Sequence, residues 1–125
     1  MENNKTILIY GFTEEEKRIL ENLVNMKKLP SYKVIEKKMC NMTINDIVNG
    51  LKLEIFNVGN LPEEKVILFN NLSDIELDGA ISSVRGVFSP SPILAVVTPT
   101  SIEWTFKDLL EHLIEEREWF KKRGV

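Results

Sequence analysis

The sequence predicts an α/β fold: a tandem βαβα pseudo-repeat forming a largely parallel sheet covered by helices. Three observations predict it. The segment "KTILIYGFTEEE" from Lys5 matches "KVILFNNLSDIE" from Lys65 at an offset of 60. Helix-start signals recur at the same offset. Short β-prone apolar runs alternate with stretches of helical periodicity. The chain of 125 residues reads as one domain, 1–125. Two repeats build it, about 5–51 and 65–118, joined by 52–64.

The first strands are expected near Thr6–Tyr10 and Val66–Phe69, where β-branched and aromatic residues cluster. Each is followed by a hydroxyl residue with glutamate three places on: Thr13 with Glu16, and Ser73 with Glu76. That is a capping box, in which the hydroxyl and the carboxylate each accept a backbone N–H at the helix start. The first helices are expected near Glu14–Lys28 and Asp74–Arg85. Ile19, Leu20, Leu23 and Val24 make one apolar face; Leu77, Ala80, Ile81 and Val84 make its counterpart. Gly79 interrupts the second of these at a cost of about 1 kcal/mol against Ala, which points to close packing there.

The second strands are expected at "KVIEK" (Lys33–Lys37) and "ILAVV" (Ile93–Val97). "KVIEK" alternates and carries charge, as a sheet edge does. "ILAVV" is apolar throughout, as a covered central strand is. Pro30 and Ser31 of the first repeat match Pro90 and Ser91 of the second. The last helices open at Thr43 with Asp46 and at Thr105 with Asp108, the offset now 62 because the second loop holds two extra residues. Met42 with Ile47, and Trp104 with Leu109, stand at hydrophobic-staple spacing. Trp104 is therefore expected to pin a helix entry rather than to stack on a ligand. The final helix, near Thr105–Lys122, is expected to bury Phe106, Leu109, Leu110, Leu113 and Ile114. Residues 52–58, "KLEIFNV", fit either a further edge strand or a helix tail.

Composition narrows the function. The chain is 43% hydrophobic and 28% charged, with a net charge of −3. An acidic balance argues against general nucleic-acid binding, which needs a basic surface. The charge is uneven: residues 1–60 are net +1 and residues 61–125 net −4. Lysines concentrate in "MKKLPSYKVIEKK", which reads as a solvated surface more readily than as a phosphate site. One cysteine, Cys40, rules out an internal disulfide. The start lacks a secretory pattern and no apolar stretch approaches membrane length, so no membrane association and a cytoplasmic location are expected.

In a parallel α/β sheet, ligands bind beyond the carboxyl ends of the strands. The loops expected to converge there carry Tyr10, Gly11 and Phe12; Met39, Cys40 and Asn41; Asn70 and Asn71; and Thr98 through Glu103. Hydroxyls and amides dominate, and Glu103 is the one carboxylate in these turns. Such an edge suits hydrogen-bonded binding better than acid–base catalysis. Candidate ligand contacts are Thr98, Thr100, Ser101, Thr105, Asn70 and Asn71. No catalytic set, metal site or cofactor is expected. Cys40 reads as a structural thiol. Asp108, His112 and Glu115 make an i, i+4, i+7 stripe on the solvated side of the last helix.

Read whole, "PILAVVTPTSIEWTFKDLLEHLIEE" carries a resemblance. The proline before the apolar strand, the "TPT" turn and the Trp-Thr opening of an acidic helix resemble a small prokaryotic domain family of unknown function. The resemblance covers Lys65 to about Glu118 and implies no activity, cofactor or site residue.

The tail "EEREWFKKRGV" places Trp119 beside Phe120, so a helix cannot turn both onto one narrow inner stripe. Either both pack on the fold, or one forms part of a contact surface. The function expected is a non-enzymatic α/β binding module working through an unknown protein partner or a homodimer, with Trp119 and Phe120 as the candidate surface. The alternative is a small-ligand or anion sensor using the strand-end loops.

Overall fold

The computed structural model describes residues 5–51 and 61–122. The undecided segment 52–58 lies outside the described residues. The elements run β1 (Thr6–Tyr10), α1 (Glu14–Lys27), β2 (Tyr32–Val34), a 3-10 turn (Lys37–Met39), α2 (Ile44–Val48), β3 (Val66–Asn70), α3 (Asp74–Val87), β4 (Ile93–Val96), a second 3-10 turn (Ser101–Glu103) and α4 (Phe106–Lys122). The chain divides into two compact units. One takes the chain up to Ile35 and then Glu63–Thr98; the other takes Glu36–Pro62 and the chain from Pro99 on.

The first unit is a four-stranded sheet in the order β2-β1-β3-β4 with two helices. β1 pairs parallel with β2, and β3 parallel with β4. Each pair is a βαβ crossover, through α1 and through α3. The two pairs meet antiparallel along β1 and β3, where Leu8 stands opposite Leu68, Ile7 opposite Phe69 and Ile9 opposite Ile67. Every residue of β1 and β3 is buried. Ile7, Ile9, Ile67 and Phe69 share a core with Leu20 and Leu23 of α1 and Ala80 and Val84 of α3. Phe12 and Phe88 close it edge-on at 5.5 Å. Leu8 and Leu68 alternate onto the other face and are fully buried too.

The helices begin as the caps require. Thr13 and Ser73 each accept from the N–H of the glutamate three residues on, and that glutamate accepts from the cap residue's N–H. Both helices are 14 residues long. The turns before them need positive φ, met by Gly11 (φ 87°) and Asn71 (φ 66°) at matching positions. Gly11 is further constrained, because a Cβ there would come within 2.1 Å of the Glu64 carbonyl oxygen. Two ion pairs cross between the pairs of strands: Lys5 with Glu76 at 2.9 Å, and Lys65 with Glu16. Glu16 is held below its ordinary pKa of 4.5, first by the bond from Lys65 and then by the Thr13 N–H.

The second unit is built on α2 and α4. Thr43 faces Thr105 in an isolated antiparallel bridge. Ile44 N–H donates to the Trp104 carbonyl at 2.9 Å, and Phe106 N–H to the Met42 carbonyl at 3.0 Å. Both threonines cap their helices, accepting from the N–H of Asp46 and of Asp108 at 3.1 Å. Met42, Ile44, Ile47 and Val48 are buried, as are Phe106, Leu109 and Leu110.

Three expectations need correction. The strand-end loops do not converge on one edge. Because β1 and β3 run antiparallel, the turn after β1 leaves one end of the sheet and those after β3 and β4 leave the other. The long connection between β2 and β3 leaves β3 free to enter in either direction, so the βαβ rule governs each pair and not their union. "ILAVV" is an edge strand rather than a central one, and Val96 is exposed. Gly79 has no close neighbour: an added Cβ would meet nothing within 4 Å.

Candidate functional site

The outer face of α4 is the region where exposed chemistry concentrates. Its helix is well specified. Thr105 caps it, Asp108 sits in the first turn, and Lys121 and Lys122 sit in the last, each charge complementing the helix dipole. Phe106, Leu109 and Leu110 hold the inner side; Leu113 and Ile114 are half-buried. The opposite side then carries Asp108, His112, Glu115 and Trp119 at i, i+4, i+7 and i+11.

Trp104, just before the helix, is half-buried and meets His112 edge-on, with ring centroids 5.3 Å apart and planes at 90°. Trp104, Asp108, Glu111, His112 and Glu115 line an open hollow of about 360 Å³. Its rim is not uniformly charged. Lys107 donates to Glu111 at 2.8 Å, and that bond raises the lysine above its ordinary pKa of 10.5. His112 stands 3.6 Å from Glu116. Further along, Glu118 is approached by Arg117 at 3.2 Å and Lys121 at 4.0 Å. Among the described residues, Glu115 and Lys122 make no ion pair.

Trp119 and Phe120 are each 53% exposed and touch edge-on at 5.0 Å. Neither ring is drawn into a core. The pair is flanked in sequence by Glu115, Glu116 and Glu118 on one side and by Lys121 and Lys122 on the other.

The six residues expected to contact a ligand fall in different places. Asn70, Asn71 and Thr98 follow the carboxyl ends of the adjacent strands β3 and β4, at one end of the sheet. Asn70 is buried and Asn71 exposed. Thr100, Ser101 and Thr105 belong to the other compact unit. There the Ser101 carbonyl accepts from Trp104 N–H at 3.0 Å, and the Thr105 hydroxyl is occupied as a cap. Cys40 is fully buried, and its carbonyl accepts from Lys107 N–H at 2.9 Å. The described residues contain no group of three or more His, Cys, Asp or Glu placed to hold a metal ion.

Residue-by-residue reading weighed Trp104 as a staple and His112 as part of a charged stripe, and so missed their contact. The signal was present: Trp104 lies on the helix axis side that the i, i+4, i+7 stripe of Asp108, His112 and Glu115 continues. The opposed charges Glu115 and Lys122, four residues before and three residues after Trp119, are legible in the sequence as well.

Residues 65–120 match the model of a family described as a domain of unknown function, DUF3783. That match runs from the first residue before β3 to Phe120, and so takes in the aromatic pair. No curated protein and no solved structure matches the chain.

Proposed function

We propose that the protein is an α/β binding module that associates with a second copy of itself through the outer part of α4, with Trp119 and Phe120 at the centre. The observation that carries this reading is the exposure of both rings, 53% each, side by side on a helix whose inner face is already filled. Two large half-exposed rings in contact make a patch that gains by being covered. The area is modest, roughly 200 Å² of ring surface per copy if each ring buries half of its usual area. That is far below the ~800 Å² per partner of a standard stable interface, so the association is weak and concentration-dependent. The same reading takes the chain as two copies of one unit, 5–51 and 65–118. The equal helix lengths, the matched caps and the reciprocal ion pairs Lys5–Glu76 and Lys65–Glu16 support it.

Sedimentation velocity over about 10 µM to 1 mM tests the function. The wild type is expected to show a rising weight-average sedimentation coefficient, and Trp119→Ala/Phe120→Ala to stay monomeric with an unchanged circular dichroism spectrum. A wild type that remains monomeric throughout, or a double variant that associates as well as the wild type, overturns the reading.

A further inference from the structure

We infer that the second copy docks with its α4 antiparallel to this one across a two-fold axis near Trp119, so that Glu115 of each copy meets Lys122 of the other. The inference rests on the self-association reading and adds its geometry. Trp119 is centred between Glu115, four residues before it, and Lys122, three residues after it. These positions share one face of the helix. The charges on that face are therefore self-complementary about the ring. Neither Glu115 nor Lys122 makes an ion pair within the described residues, whereas Glu111 is held by Lys107 and Glu118 by Arg117 and Lys121.

Orientation follows from the signs. Parallel packing sets Glu115 against Glu115 and Lys122 against Lys122, and like charges at close range are penalised. Antiparallel packing sets each glutamate against a lysine twice over, while Trp119 of the two copies meets at the axis and Phe120 flanks it. A two-fold contact of this kind is isologous: the same patch serves on both copies, and the contact closes at a dimer. The hollow lined by Trp104, Asp108, Glu111, His112 and Glu115 lies on the same face, on the side toward which the other copy's basic last turn points. Its carboxylates extend the field that favours this direction.

The test is charge reversal in the full-length chain, read by sedimentation at low salt. Glu115→Lys alone and Lys122→Glu alone each turn two attractive contacts into two repulsive ones, and each is expected to weaken association about tenfold, given exposed pairs of ordinary strength. The double variant Glu115→Lys/Lys122→Glu restores both contacts with signs exchanged and is expected to return to within about twofold of the wild type. Mixing the two single variants is expected to give a heterodimer about as tight as the wild type and tighter than either variant alone, since both of its antiparallel contacts then set a lysine of one copy against a glutamate of the other. All four positions are exposed, so folding is not at stake. If the aromatic double variant abolishes association while the charge reversals leave it unchanged, the antiparallel geometry is wrong and the contact at Trp119 and Phe120 stands. If the double reversal associates no better than the single ones, the geometry is likewise wrong. If the aromatic variant associates normally, the reading beneath it fails as well.

Discussion

The first half of the chain and the second half start alike and end differently. β1 and β3 are five residues each, α1 and α3 fourteen each, and the caps match at an offset of 60. α2 and α4 also open alike, with a capping threonine and buried apolar positions in register: Ile44 with Phe106, Ile47 with Leu109, Val48 with Leu110. Then α2 stops after five residues and α4 continues for seventeen. The stop is encoded. Gly50 takes φ 78°, its N–H donates to Ile47, and Leu51 N–H reaches back to Asp46, a Schellman closure. α4 has Glu111 and His112 where α2 has Asn49 and Gly50, and nothing breaks it. The shared parts build the core. The unshared part of α4 carries the aromatic pair and Glu111, His112 and Glu115 of the hollow.

Several substitutions sharpen this contrast. The largest effect is expected at the centre of the sheet, where Leu8→Ala and Leu68→Ala should each cost about 3–5 kcal/mol in denaturant melts, since both side chains are fully buried. Equal costs fit matching positions; a gap of several kcal/mol would show that one half carries the sheet. Gly11→Ala should cost at least about 2 kcal/mol, because it adds strain at positive φ to a collision with Glu64. At the matching site Asn71→Gly should be neutral or gain a few tenths of a kcal/mol. Thr43→Ala and Thr105→Ala should each cost about 1 kcal/mol as lost caps. In the opposite direction, Gly79→Ala should stabilise by up to about 1 kcal/mol, since the position is helical and open. The smallest effect concerns acid. Glu16 has its pKa lowered in the folded state, so its contribution is present above about pH 4.5 and lost as pH falls through the lower folded value. Glu16→Gln should flatten the acid limb of the stability–pH curve and leave the alkaline limb unchanged.

The parts of the fold written in local sequence were legible. Thr13 with Glu16 and Ser73 with Glu76 place both helix starts to the residue. The direction in which β3 meets β1 was not legible, because it is set by a connection of some thirty residues and leaves no local mark. "ILAVV" misled for a related reason: an apolar run reports burial of its faces, and says nothing of whether a further strand lies beside it. At the candidate site, Trp119 and Phe120 stood out because two adjacent rings cannot both face a core. The six hydroxyl and amide candidates were chosen on the premise of a single loop edge, and an antiparallel centre removes that premise.

The most direct test is to locate the contact. Amide NMR spectra recorded from about 1 mM down to 20 µM should shift on dilution at residues of α4 from His112 onward, with Glu115, Trp119 and Lys122 moving most, while α1, α3 and the sheet stay fixed. Dilution shifts confined to the sheet edges at Tyr32–Val34 and Ile93–Val96, or no shifts at any residue, would contradict the account.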